Sequence, residues 1–155
     1  IHYLLKTPNS VRNLVRLVGD LLKPGGHFFF TSFDGKRVFD ILGNKNKWEI
    51  RSGSIIKYSI KKEYKSLKLE QLGQQVGVIL PFSRGQYYSE YLVNYDYILD
   101  EFKSGGFVTK KRGYTSSFLP LFKKESSKLY NKISEDDKKF ISLYGYAVLR
   151  KKTRS

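Results

Sequence analysis

Leu21-Leu22-Lys23-Pro24-Gly25-Gly26-His27-Phe28-Phe29-Phe30-Thr31-Ser32 is the stretch on which the fold turns. Its first half closes a helix and its second half reads as a strand. Upstream, Val11, Leu14, Val15, Val18, Leu21 and Leu22 recur at the spacing of one helical face, with Thr7-Pro8 at the entry and Pro24-Gly25-Gly26 at the exit. The run from His27 to Ser32 is of strand length and almost unbroken in its apolar character, the pattern of a strand covered on both faces in a parallel sheet. Helix then buried strand is half of an α/β repeat, and the Phe28 strand is predicted at the centre of its sheet. Beyond it, Asp34 is placed to cap a short helix carrying Val38, Phe39, Ile41 and Leu42.

From Lys47 to Phe82 the period changes to two. Trp48/Ile50, Ile56/Tyr58/Ile60 and Val76/Val78/Leu80 alternate with polar residues and are separated by turn formers, which predicts antiparallel strands. A second helix is predicted with Tyr91, Leu92, Tyr95, Ile98, Leu99 and Phe102 on one face and Ser104-Gly105-Gly106 as its stop. Phe107 to Arg112 reads as a strand, and Phe118 to Tyr130 fits neither period. Ser134-Glu135-Asp136-Asp137 is a capping box opening a short helix, and Leu143 to Leu149 is a last apolar strand. The expected architecture is a mixed α/β sheet with an antiparallel insertion, the Tyr144 strand lying antiparallel in the same sheet as the Phe28 strand.

Composition narrows the chemistry. The 155 residues are 40% hydrophobic, with 12 Tyr and 11 Phe, enough for a core of ordinary domain size. No apolar run approaches the ~20 residues needed to span a bilayer, so no membrane partner is expected and a soluble intracellular protein is the default. With no cysteine there is no thiolate nucleophile and no Cys-based zinc site, and His2 and His27 are the only histidines, a poor basis for a metal centre. The formal charge of +15 favours a nucleic-acid partner, although each basic run also reads as a solvated face. The absence of Met, together with an opening at Ile1 in mid-pattern, leads us to expect that residues of the natural protein precede Ile1.

Ile1-His2-Tyr3-Leu4-Leu5, the helix ending Leu21-Leu22-Lys23-Pro24-Gly25-Gly26, and Phe28-Phe29-Phe30-Thr31 together resemble the middle of mRNA cap guanine methyltransferases. The Leu-Leu-Lys-Pro-Gly-Gly phrase is shared by many S-adenosylmethionine enzymes, and the preceding His-Tyr narrows the likeness. Thr31-Ser32-Phe33-Asp34-Gly35, Val78-Ile79-Leu80-Pro81-Phe82, Tyr88-Ser89-Glu90-Tyr91-Leu92-Val93 and Leu143-Tyr144-Gly145-Tyr146-Ala147-Val148 follow in the family's order, over nearly the whole chain. The flavour is closest to the capping enzymes of large cytoplasmic DNA viruses (asfarvirus and poxvirus type); Phe33 stands where cellular members more often carry proline. The resemblance implies that residues 1–155 are the C-terminal half of one Rossmann-like S-adenosylmethionine-dependent methyltransferase domain. The Gly-rich loop after the first strand and the acidic residue after the second, which hold the cofactor in this superfamily, are not among them. S-adenosylmethionine is thus expected to be bound mainly by residues outside this chain, and the isolated chain to be inactive.

Methylation of guanine N7 needs alignment of a lone pair with an activated methyl group rather than an obligatory general base, which suits a sequence with no Ser-His-Asp or Cys-His constellation. The informative residues are then those that recognise guanine. By the resemblance, Glu90 accepts hydrogen bonds from guanine N1–H and the exocyclic amine, chemistry that an ionised carboxylate can supply. His2 hydrogen-bonds the cap, Tyr3 stacks on it, and Tyr144 reaches the same pocket, with Tyr146 a packing residue. The implied His2-Tyr3 position is the end of the sheet's fourth strand, where open α/β sheets place ligands. Three have an alternative reading: Glu90 as an exposed acid in the first turn of its helix, and His2 and Tyr3 as packing residues. Lys36, Arg37 and Arg84 are candidates for phosphates without a motif to single them out.

The expected function is S-adenosylmethionine-dependent N7 methylation of the mRNA cap, with capped RNA and the remainder of a capping enzyme as partners. A catalytically inactive, methyltransferase-like RNA-binding or stimulatory subunit is the alternative. A methyltransferase acting on another substrate is a third reading.

Overall fold

The computed structural model describes residues 1–153. A 3-10 turn, His2–Leu4, opens the chain and leads into helix α1, Pro8–Leu21. Thr7 caps this helix, its side-chain oxygen accepting from the Ser10 amide at 3.2 Å, and Pro8 occupies the first turn, where its missing N–H leaves nothing unpaired. Val11, Val15 and Val18 form the buried stripe. Strand β1, His27–Phe33, follows the turn at Gly25, and Asp34 then caps α2, Gly35–Leu42, by accepting from the Arg37 amide at 3.0 Å.

Four strands succeed one another: β2 (Lys47–Ser52), β3 (Ile55–Lys62), β4 (Gln75–Ile79) and β5 (Tyr88–Tyr91). Helix α3 (Tyr95–Ser104) starts at Asn94, whose side chain accepts from the Tyr97 amide. Strand β6 (Phe107–Tyr114) leads through a second 3-10 turn, Thr115–Phe118, to α4 (Leu119–Glu125), α5 (Ser127–Tyr130) and α6 (Glu135–Ile141). The chain closes on β7, Tyr144–Lys151.

The strands form two antiparallel sheets, β1-β7-β6 and the meander β2-β3-β4-β5. One face of the first sheet presents Phe30, Ala147, Leu149 and Phe107 to Val11, Val15 and Val18 of α1 and to Ile98 and Phe102 of α3. A second core gathers Phe33, Val38 and Leu42 with Ile60, Val76 and Val78 of the meander and Phe140 and Leu143. Each fully buried side chain of this size contributes about 1.5–3 kcal/mol, so each core is substantial. The sheets meet where Gly35 N–H donates to Val93 O at 2.9 Å, and Asp34 and Val93 form a single parallel bridge. A Cβ at Gly35 would stand 2.7 Å from Val93 O, which is why glycine occupies this crossing.

Three expectations are corrected. Strand β1 is an edge strand among the described residues, bonded only to β7 and antiparallel to it, rather than a central parallel strand. Its burial alternates accordingly: Phe30 is 7% exposed and Phe29 58%. An unbroken apolar run reports potential burial and cannot tell one covered face from two. The second helix starts at Tyr95, not near Tyr91, because Tyr88–Tyr91 pairs with the β4 edge and Asn94 supplies the cap. His2 and Tyr3 lie in a 3-10 turn, with Leu4 N–H bonded to Ile1 O, rather than at a strand end. The segment Phe118–Tyr130, which fitted neither period, is helical, and the capping box at Ser134 forms as expected.

Candidate functional site

Glu90 sits on β5 opposite Val76, so strand alternation places its side chain on the same face as the core residues Val76 and Val78. The carboxylate is consequently 13% exposed. Among the described residues no hydrogen bond reaches it, and burial raises its pKa above the ordinary carboxylate value. An enclosed acceptor without a donor is the feature that most distinguishes it from the other acids. Its placement on a strand also removes the reading of Glu90 as a helix-start acid.

His2 comes to Glu90 from the opening turn. Leu5, 1% exposed, anchors that turn in the first core, and its carbonyl accepts from Gly73 N–H at 3.1 Å. This sets His2 Nε2 3.9 Å from Glu90 Oε2, close but beyond a hydrogen bond. Burial holds the imidazole below its ordinary pKa, so it is neutral at pH 7. Tyr3 packs its ring 4.1 Å from the His2 ring, centroid to centroid, and is 64% exposed, a flat surface at the rim.

Tyr144 approaches from the first sheet. It is the opening residue of β7, paired with Phe33, and the two rings stand 4.4 Å apart. Its backbone is held on both sides: Leu143 O accepts from Asp34 N–H at 2.8 Å, and Thr115 Oγ1 lies 3.1 Å from Tyr144 O and 2.7 Å from Ile141 O. Burial, and then the nearby Glu90 charge, push the phenol pKa upward, so it stays protonated throughout the physiological range. Glu90 and His2 thus stand side by side, Tyr3 lies against His2, and Tyr144, from the first sheet, is near enough for the Glu90 charge to act on its phenol. Tyr146 is buried and packs on Phe118 and Phe29, as expected of a packing residue.

The basic candidates divide differently. Arg37 is engaged, its Nη1 donating to Ser142 O at 2.6 Å and its guanidinium carbon 3.3 Å from the Tyr114 ring centroid. Lys36 pairs with Asp40 at 3.0 Å, and Arg84 is in an exposed turn with φ 50°. Among the described residues none of the three forms a hydrogen bond or ion pair with Glu90. Phe33 and Thr115, which seat Tyr144, were not singled out as site residues from the sequence; Phe33 is set there by the β1–β7 register and Thr115 by the turn that follows β6, both non-local properties. A cavity of about 460 Å³ between α1 and α3 lies at the Lys151 end of β7, opposite to Tyr144.

Over 93% of the chain the fold matches a solved S-adenosylmethionine-dependent methyltransferase from Clostridium acetobutylicum, with a TM-score of 0.50, 12% identity and 52% of that chain covered. The chain therefore has the fold of the matching half of that S-adenosylmethionine-dependent methyltransferase. In sequence, the chain is 40% identical over 157 residues to the mRNA-capping enzymes of two African swine fever virus isolates, covering 97% of itself. The similarity runs along nearly the whole chain, which spans 18% of the length of these relatives. No protein-family model matches the chain. No helix among the described residues is long and apolar enough to cross a membrane.

Proposed function

We propose that this chain forms the guanine-recognising part of an mRNA (guanine-N7) methyltransferase, working within a longer capping enzyme on capped RNA. The observation that supports it best is the enclosed Glu90 carboxylate, without a hydrogen-bond donor among the described residues and with His2 3.9 Å away. Guanine offers N1–H and an exocyclic amine on one edge, and a carboxylate accepts both. Neutral His2 adds one donor or acceptor. The rings of Tyr3 and Tyr144 offer faces for the base, which becomes cationic on N7 methylation and gains attraction to aromatic surfaces. With the edge fixed, N7 is held in one direction, and orientation is most of what this reaction requires.

S-adenosylmethionine is the methyl donor this reading requires. The glycine pairs Gly25-Gly26 and Gly105-Gly106 both lie at the Lys151 end of β7, where Gly25 N–H donates to Lys151 O and Gly106 O accepts from Lys152 N–H. On this reading the cofactor is held mainly by residues outside this chain, and this chain's part is to bind and orient guanine. The test is methylation of guanosine-capped RNA by the full-length protein with Glu90→Gln, read beside cofactor affinity. Loss of methylation at unchanged cofactor affinity supports the reading. Unchanged methylation favours an RNA-binding or stimulatory role without guanine readout.

A further inference from the structure

From Thr115 to Lys139 no side chain is buried, although the stretch is folded into a 3-10 turn and helices α4, α5 and most of α6. Phe118, Leu121 and Leu129 stand 41%, 56% and 53% exposed. The charges are lopsided. Glu135, Asp136 and Asp137 are each paired, to Lys138, Lys139 and Lys57. Lys123, Lys124, Lys128 and Lys132 have no carboxylate within 4.0 Å among the described residues, and neither do Lys110 and Lys111 on the adjoining β6. Lys123 stands 5.5 Å from the centroid of the Tyr130 ring, and Lys138, besides its pairing with Glu135, stands 4.8 Å from it.

This surface begins at the candidate site. Thr115, its first residue, contacts the Tyr144 carbonyl, and Phe118 rests on Tyr146 two residues along β7. We infer that the Thr115–Lys132 surface binds the RNA chain immediately following the cap, its lysines meeting phosphates and its exposed apolar side chains meeting unstacked bases. Polyanion binding releases condensed counterions, whereas a protein face over the same lysines would have to desolvate them unpaired. Interleaved cations and flat apolar groups are what sequence-tolerant single-strand binding uses. The inference rests on the guanine reading only in taking Tyr144 as the cap end of the path.

The test uses the full-length protein with Lys123→Glu, Lys124→Glu and Lys128→Glu combined, and the corresponding triple Arg variant as the charge-preserving control. Three probes are compared: the GpppG dinucleotide, a capped single-stranded RNA of about 20 nucleotides, and the same RNA uncapped. We expect the Glu variant to raise KM for capped RNA about tenfold or more and to reduce the log–log salt slope by about 2, at roughly 0.7 per lost phosphate contact. KM and kcat for GpppG, the melting temperature, and all values for the Arg variant should stay as in the wild type. A parallel change in KM for dinucleotide and RNA, or no change in either, would overturn the inference. Uncapped RNA separates it from the guanine reading. If GpppG is not a substrate of the wild type but uncapped RNA binding is lost in the Glu variant, the guanine reading fails and this surface stands. If GpppG is methylated and the Glu variant binds uncapped RNA like the wild type, the surface fails and the guanine reading stands.

Discussion

Phe33 and Tyr144 face each other across β1 and β7 with ring centroids 4.4 Å apart, so the wall of the candidate guanine site rests directly on a residue of the second core. Position and stability are coupled there. Phe33→Leu keeps the side chain apolar but withdraws the ring from Tyr144. It should lower stability by about 1 kcal/mol and raise KM for capped substrate several-fold. Tyr144→Phe keeps the ring and should change KM less than Phe33→Leu. Thermal melting and steady-state methylation of both variants check the order.

Asp137 ties α6 to the meander. Burial works to raise its pKa, but hydrogen bonds from Lys57, Tyr58 and Ser134 outweigh it and hold the carboxyl well below the ordinary aspartate value. A carboxyl depressed in the folded state contributes stability that is present at neutral pH, above its unfolded pKa, and is lost as pH falls through its folded pKa. Asp137→Asn should cost about 1–3 kcal/mol at pH 7, through the lost charge beside Lys57 and an amide donor in place of the oxygen that accepts from Ser134, and clearly less in strong acid. Urea unfolding at the two pH values measures the difference; an equal cost at both would contradict the account.

Gly35 stands at the crossing of the two sheets. Because an added Cβ would meet the Val93 backbone rather than a movable side chain, Gly35→Ala should destabilise by about 1–3 kcal/mol even though alanine is the better helix former at the start of α2. Gly53, whose Cβ would meet nothing within 4 Å, has a φ of 62° and should show a cost of backbone origin only. Melting curves of the two alanine variants compare them.

Much of this was legible because it is local. Thr7-Pro8 and Pro24-Gly25 bound α1 through capping and turn chemistry that neighbouring residues decide, and the Ser134 capping box opens α6 for the same reason. The errors lie where a partner strand decides. Tyr88–Tyr91 carries helical spacing toward Leu99, yet it pairs with β4, and that pairing gives Glu90 its enclosed position. The exposure of Phe29 depends on what covers the sheet, which no period reveals. Between Thr115 and Lys139 there was little pattern to read, since a segment that buries no side chain leaves no hydrophobic period. Of the site, His2, Glu90 and Tyr144 were named from the family resemblance; the fold sets His2 beside Glu90 and lets the Glu90 charge act on Tyr144, while Phe33 follows from the β1–β7 register and Thr115 from the turn after β6.

Glu90 makes the most direct test. Its raised pKa predicts that methylation in the full-length protein falls on acidification at a pH above the ordinary carboxylate range, because the protonated group donates where guanine also donates. For stability the sign is opposite: ionising this enclosed group opposes folding, a cost absent below its unfolded pKa and present in full above its raised folded pKa. Glu90→Gln should therefore leave stability at pH 7 unchanged or slightly higher. The decisive measurement is kcat/KM for guanosine-capped RNA against pH, wild type beside Glu90→Gln, with cofactor affinity and melting temperature followed in parallel. The account predicts a loss of about 5- to 150-fold at pH 7, corresponding to about 1–3 kcal/mol, and disappearance of the acidic limb, with cofactor affinity and melting held. An unchanged kcat/KM with the acidic limb intact would contradict it.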